Sequence, residues 1–292
     1  METISVLMCT YKEPIEWINK TIDSVIHQTL IPTEYIIIVD NPEYQELISV
    51  LEEYKNKYKY IKYYVNNKNM GLVKSLNYGL TKCNGKYIAR IDADDFAETE
   101  RFEKQLEYLK NNNLDFVGCG YNTFYDDKIL CIREGTPGEE NLKKILKFSN
   151  CIAHPTWFLK KKVYDELQGY RDIQACEDLD FIIRAVLNGY KIGNVKECLM
   201  WYRDNPNSIS HKNSYKQEAT KIILCRYYRR HNIISLENLK KIQNGKSYKR
   251  LYTNLEKISE GSLKKYFYVT FYIKKIKNKY INICKKKARG KY

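Results

Sequence analysis

Apolar residues recur along this chain with two different periods, and the two alternate. Short β-prone runs at Ile4 to Thr10, Tyr35 to Asp40, Tyr60 to Val65 and Tyr87 to Ile91 predict strands, the first of them buried. Between the first two, Pro14 to Gln28 carries Ile15, Ile18, Ile22, Val25 and Ile26 at steps of three and four, which places them on one face of a helix. Helices are likewise predicted over Glu43 to Lys57 and, after Gly71, over Val73 to Cys83. Strands alternating with helices imply right-handed crossovers and an α/β fold: a Rossmann-like, mainly parallel sheet flanked by helices.

Further on, the pattern predicts a helix at Arg101 to Asn111 and strands at Asp115 to Tyr125 and Lys128 to Arg133 that turn at Asp126-Asp127. A helix at Glu139 to Phe148 and a strand at Thr156 to Leu159 follow. Glu177-Asp178-Leu179-Asp180 then opens a helix that ends before Gly189. With 292 residues and 43% hydrophobic content, the chain has room for one large α/β domain or two smaller ones. Its longest apolar runs, Tyr35 to Val39 and Phe267 to Ile273, fall far short of the ~20 residues that span a bilayer. The start, Met1-Glu2-Thr3-Ile4-Ser5, has no basic segment leading into an apolar one, so a cytoplasmic location is expected. The nine cysteines include no Cys-x-x-Cys pair, and a reduced, structural role is expected for most of them.

Charge divides the chain. Residues 1–211 hold 27 Lys and Arg against 31 Asp and Glu, whereas residues 212–292 hold 23 against 4, so the net +15 belongs to the C-terminal part. This asymmetry predicts a domain over 1–211 and a basic, mainly helical extension over 212–292 that meets something anionic.

The candidate chemistry lies at the end of the fourth strand, where Lys86-Tyr87-Ile88-Ala89-Arg90-Ile91 runs into Asp92-Ala93-Asp94-Asp95. Carboxylates gathered at a strand end repel one another unless a cation or strong donors oppose them, which points to a hard divalent metal carrying phosphates. Asp92 and Asp94 are two apart and share a face of any extended segment. Open α/β sheets place their ligands at this edge.

Several segments, taken in order, resemble the family 2 nucleotide-sugar glycosyltransferases of bacterial surface-polysaccharide type. They are Ile4 to Tyr11, Ile22-Asp23-Ser24-Val25 with Gln28-Thr29, Asn69-Met70-Gly71-Leu72, Asn77 and Tyr87 to Asp95. His154-Pro155-Thr156, Gly169-Tyr170, Glu177-Asp178 and Tyr202-Arg203 with Ser208-Ile209-Ser210 complete the set, which covers about residues 3 to 211. The resemblance implies a GT-A fold, inversion at the anomeric carbon, a UDP-sugar donor and Mn2+ or Mg2+ as cofactor. It further implies that Thr10, Asp40, Asn77, Asp92 and Asp94 meet the nucleotide-sugar and that Asp94 also binds the metal. Asp178 would be the catalytic base, with His154 and Glu177 on the acceptor side. The second strand departs from the family, ending in Val39-Asp40-Asn41-Pro42 where two Asp and Gly-Ser are usual. Asn205 stands where many relatives carry a His near the metal. Lys74 and Arg203 are candidates for the diphosphate, and solvated surface charge explains each equally well.

In the basic tail, Val269, Ile273, Ile276, Tyr280 and Ile283 form an apolar stripe among Lys274, Lys275, Lys277 and Lys279. Such a helix suits an anionic membrane surface, and it equally suits packing on the catalytic domain. A glycan or lipid-linked glycan is the expected acceptor, with peripheral membrane association. A nucleic-acid-binding protein is the main rival, suggested by the Lys and Tyr of the tail, but no nucleic-acid-binding motif accompanies them and residues 1–211 are acidic. A sugar nucleotidyltransferase would open with a Gly-rich loop and a basic residue, whereas this chain has Thr10-Tyr11-Lys12-Glu13-Pro14.

Overall fold

The β-prone runs form β1 (Ile4–Thr10), β2 (Glu34–Val39), β3 (Ile61–Val65) and β4 (Tyr87–Asp92) in the computed structural model, which describes residues 2–126, 128–173, 175–205, 214–251 and 253. They are joined by α1 (Ile15–Ile26), α2 (Gln45–Lys57) and α3 (Leu72–Lys82) and pair in parallel in the order β3-β2-β1-β4. Every residue of β2 is buried, as a strand covered on both faces requires. The apolar stripe of α1 lands as its spacing dictates, with Ile18, Ile22 and Val25 buried.

The second half comprises β5 (Phe96–Ala97), α4 (Arg101–Asn111), β6 (Phe116–Tyr125), β7 (Lys128–Arg133), α5 (Glu139–Leu146) and β8 (Phe158–Lys160). It continues through α6 (Lys161–Glu166), α7 (Glu177–Leu187), β9 (Ile192–Arg203), α8 (Ser214–Tyr228) and α9 (Leu236–Asn244). The sheet extends from β4 through β8, β6 and β9 to β5, with β7 beside β6. The short strand β8 runs antiparallel to both β4 and β6, while the long β6–β9 ladder is parallel. The sheet is therefore parallel in its long ladders and mixed where β8, β5 and β7 join.

β9 has no counterpart among the sequence-predicted strands. Gly193-Asn194 and Lys196-Glu197 interrupt its apolar alternation, and its register with β6 shifts around Gly120. The segment read as a strand from Thr156 begins instead as a 3-10 turn, His154–Thr156, before β8.

The two faces of the sheet carry separate cores. Leu7, Ile36, Ile38 and Ile88 pack with Leu76 of α3 and Phe181 of α7, while Val6, Met8 and Ile91 pack with Ile18 and Ile22 of α1 and Phe102 of α4. α8 packs on α7, and Leu224, Cys225, Tyr228 and Leu239 of α8 and α9 belong to the first of these cores. The basic extension thus starts as part of the packing of the α/β body. The stripe from Val269 to Ile283 and the motif Ser208-Ile209-Ser210 lie outside the described residues.

Candidate active site

Parallel pairing brings the ends of the first four strands to one edge. Thr10 lies opposite Val39 and Cys9 opposite Asp92, so Thr10, Asp40 and Asp92 stand side by side where the strands end. Asp40 N donates to Thr10 O at 2.8 Å. The Thr10 hydroxyl donates to Glu13 Oε2 at 2.7 Å, and Tyr11 N donates to the same oxygen at 2.7 Å. Glu13 therefore shapes the loop after β1, a role the sequence reading did not give it.

The buried carboxylate of Asp40 organises the loop that enters α3. Its Oδ1 accepts from Asn66 Nδ2 and Met70 N, both at 2.7 Å, and its Oδ2 accepts from Gly71 N at 2.8 Å. Gly71, at φ +84°, supplies the left-handed turn that aims these amides at the acid. Asn77, further along α3, gives both ends of its amide to the backbone of Tyr170, at 2.8 Å each.

The acids after β4 differ in surroundings. Asp92 is 31% exposed and forms an ion pair with Arg90. Asp94 is pushed up to about 7 by burial and by the charges of Asp92 and Glu13. Its Oδ2 accepts from Asn205 Nδ2 at 3.4 Å, and its carbonyl oxygen accepts from Arg203 Nε at 2.9 Å. The Arg203 guanidinium sits over the rings of Trp17 and Phe124 at 4.2 and 4.6 Å, which places it at the acidic cluster. Asp95 is wholly buried, and burial together with Asp94 and Asp92 raises its pKa. Its Oδ1 accepts from Arg203 N at 2.8 Å, and its Oδ2 has no hydrogen-bond partner among the described residues.

Among the described residues no three His, Cys, Asp or Glu side chains stand together as a metal cage. Mg2+ and Mn2+ do not need one when phosphates supply the remaining oxygens. The arrangement fits such an ion: Asp92 and Asp94, the latter with a raised pKa, are followed by Asp95, whose buried Oδ2 has no hydrogen-bond partner among the described residues.

Glu177 and Asp178 open α7. Asp178 Oδ2 accepts from Asn150 Nδ2 at 2.6 Å and Oδ1 from Leu179 N at 2.6 Å, donors that favour the carboxylate, while burial opposes it. Glu177 is pushed up to about 8 by burial and by the charge of Asp178. Burial thus raises both carboxyls of the pair, and because the two donors to Asp178 oppose the rise there, Glu177 holds a proton more readily than Asp178 does. The charge of Asp92 also acts on Glu177, which links the two acidic groups across one site. His154 is buried, its Nε2 lies 2.8 Å from the Tyr170 hydroxyl and its ring meets Trp157 edge-on; burial drives its pKa well below the usual value and keeps it neutral.

Arg90 is the residue here that sequence reading missed. It stands out in the sequence as the one charged side chain within the run Tyr87 to Ile91, and in the structure it is 1% exposed and ion-paired with Asp92.

A parallel half-sheet thus carries acids at its carboxyl edge, and a second acidic pair opens α7. The family model for Glycosyl transferase family 2 matches residues 5–168, and the chain belongs to that family. It is 32% identical to the O-antigen biosynthesis glycosyltransferase WbnJ of Escherichia coli, over 78% of this chain and 87% of that protein. It is 28% identical to the UDP-Gal:alpha-D-GlcNAc-diphosphoundecaprenol beta-1,3-galactosyltransferase of Escherichia coli, over 80% and 86%. Among solved structures, S. aureus TarS 1-349 in complex with UDP shares the fold at a TM-score of 0.61 and 16% identity, over 82% of this chain and 69% of that one. The protein is a glycosyltransferase.

Proposed function

We propose that this enzyme moves a sugar, with inversion, from a UDP-sugar to a hydroxyl of a glycan or lipid-linked glycan during surface-polysaccharide synthesis. The observation that carries the reading is the meeting of Thr10, Asp40, Asp92 and Asp94 at one sheet edge, electrostatically linked to Glu177 and Asp178. The names of the relatives, one concerned with O-antigen and one with a UDP-galactose donor and a diphosphoundecaprenol acceptor, support the donor and acceptor classes.

In this reading Thr10 and Asp40 bound the nucleoside pocket, Asp92 meets the ribose or nucleotide, and Asp94 holds Mn2+ or Mg2+ against the diphosphate. Bound there, such a cation would supply positive charge to offset what the leaving diphosphate gains as the glycosidic bond breaks. Asp178, its carboxylate favoured by Asn150 and Leu179 N, takes the proton from the acceptor hydroxyl as that oxygen attacks C1. Glu177 and His154, both uncharged at neutral pH, line the acceptor side, with Asn77 fixing the backbone of Tyr170 beside them. Residues 1–211 make up the catalytic domain, and the basic extension brings it to an anionic membrane surface.

The test is a donor panel: thermal shift and hydrolysis with UDP-glucose, UDP-galactose, their N-acetyl forms and GDP-mannose, each with and without Mn2+. A metal-dependent response to one UDP-sugar is expected. A response to GDP-mannose alone, or to none of the donors, overturns the reading.

A further inference from the structure

Among the described residues two arginines are wholly buried, Arg90 and Arg101, and they differ in how their guanidinium groups are used. Arg101 is saturated: Nε donates to Gln105 Oε1, Nη1 to Met200 Sδ, and Nη2 to the carbonyl oxygens of Arg90 and Pro155 at 2.8 and 3.0 Å. It is a structural cation that ties β4 to the 3-10 turn. Arg90 engages Asp92 through Nη2, whereas its Nε and Nη1, both buried, have no hydrogen-bond partner among the described residues. A fold that needed only a filler beside Asp92 would place an apolar side chain there, because burying an incompletely paired charge is costly.

The surroundings of Arg90 indicate what its charge does. On one side is Asp92, the donor-side acid. On the other, the same charge favours the ionised forms of Glu177 and Asp178 and disfavours protonation of His154. Strand alternation puts Arg90 on the face of β4 that packs toward α7, with Ile88 and away from Ile91.

We propose that Arg90 is a positioning residue for sugar transfer: a buried cation paired with Asp92 on the sheet face that packs toward α7, the helix that Glu177 and Asp178 open, so that it fixes the donor-side acid and serves the acceptor-side base. It acts through these acids, and a single cation thereby couples the two halves of the site. The kinetic part of this inference rests on the glycosyl-transfer reading above; the rest does not.

The experiment compares Arg90→Lys, which keeps the charge, with Arg90→Met, which keeps much of the volume and loses it. Urea unfolding of each variant registers any folding defect. Arg90→Met is expected to lower kcat by ~10²-fold or more with a smaller change in donor KM, and Arg90→Lys to recover activity to within ~10-fold of wild type. Combined with Asp178→Asn, Arg90→Met is expected to lower kcat by a smaller factor than it does in the wild-type background, since the part of its effect that acts through Asp178 is already lost and only the part through Asp92 remains. Wild-type kcat in Arg90→Met, no recovery in Arg90→Lys, or losses that multiply in the double variant overturn the proposal. If Arg90→Met does not fold, Arg90→Gln replaces it with the same expectations. If the wild-type protein transfers no sugar from any UDP donor, the functional reading fails, and Arg90 is judged by unfolding alone. Double-mutant cycles of Arg90→Met with Asp92→Asn and with Asp178→Asn should then each show coupling of about fivefold or more in the unfolding constant, and additivity in either cycle overturns it.

Discussion

Asn77 holds the main chain of Tyr170 at both ends of its amide, Oδ1 accepting from Tyr170 N and Nδ2 donating to Tyr170 O. The clamp joins α3, which begins beneath Asp40, to the segment that carries Tyr170 against His154. It is possible because Gly169, at φ +67°, brings the chain so near that a Cβ there would stand 2.4 Å from Asn77 Oδ1. Asn77→Ala leaves both backbone groups of Tyr170 without these partners, and a loss of about 2–3 kcal/mol is expected. Gly169→Ala should act in the same direction through the clash and the left-handed backbone. Differential scanning calorimetry of the two variants checks both.

Asp94 and Asp178 are assigned to different halves of the reaction, so their variants should fail differently. Asp94→Ala is expected to weaken metal-dependent UDP binding and to lower transfer by at least ~10²-fold. Asp178→Asn is expected to bind UDP nearly as wild type and still lose ~10²-fold or more in kcat. Calorimetric binding of UDP with Mn2+, set beside steady-state transfer rates, separates the two. Full activity in either variant would refute the role given to that residue.

Much of this arrangement was legible in the chain. The spacing of Ile18, Ile22 and Val25 and the uniform burial of β2 follow directly from local periodicity, and strand–helix alternation was enough to predict the parallel half-sheet. β9 was not legible, because its pairing with β6 passes through bulges around Gly120 that break the alternation a strand normally shows. At the site, the order of the acids was visible, but the partners that decide their charge states were not. Asn150 lies 28 positions from Asp178, and Glu13 reaches the Asp94 environment from another strand end; nothing in local pattern encodes such contacts. Asn77 could be placed near the site by resemblance, yet only the folded chain reveals that its amide is taken by Tyr170.

The raised pKa of Asp94 ties cation binding to pH. Below about pH 7 the carboxyl of the free protein, pushed up by burial and by Asp92 and Glu13, carries a proton that an incoming ion must displace. Mn2+ affinity should therefore rise with pH up to about 7 and then level off, and be at least ~10-fold weaker at pH 5.5 than at pH 7.5. Asp94→Asn should bind weakly and lose this dependence. Mn2+ titrations followed by electron paramagnetic resonance measure it without substrate.

Glu177 makes a prediction about stability. Its carboxyl is pushed up to about 8 in the folded protein by burial and by Asp178, against 4.5 for the unperturbed group. A carboxyl whose pKa is raised on folding binds more protons in the native state. Its contribution is thus fully present below about pH 4.5 and is lost as pH rises through 8. Glu177→Gln keeps the uncharged form at every pH. It should match wild type near pH 5 and exceed it by at least ~2 °C in melting temperature near pH 9, as a gain of about 1 kcal/mol or more would give in a chain of this size.

The last prediction concerns the helix that presents Asp178. Asp180, 1% exposed, accepts from Arg171 Nε at 2.9 Å and from Arg184 Nε at 2.8 Å, with a further close contact from Arg171 Nη2. Each arginine then reaches elsewhere: Arg184 donates to Leu167 O and Gly169 O, and Arg171 Nη1 donates to Ile234 O, between α8 and α9. One carboxylate thus holds together α7, the segment before it and the start of the basic extension. Asp180→Asn leaves two largely buried guanidinium groups without their anion, which typically costs about 3–5 kcal/mol. A fall of roughly 5–10 °C in melting temperature is expected, with faster amide hydrogen exchange in α8 and α9 as well as in α7. Because the asparagine side chain matches aspartate in size, a variant that melts like wild type would show that the carboxylate's charge does not hold these segments together.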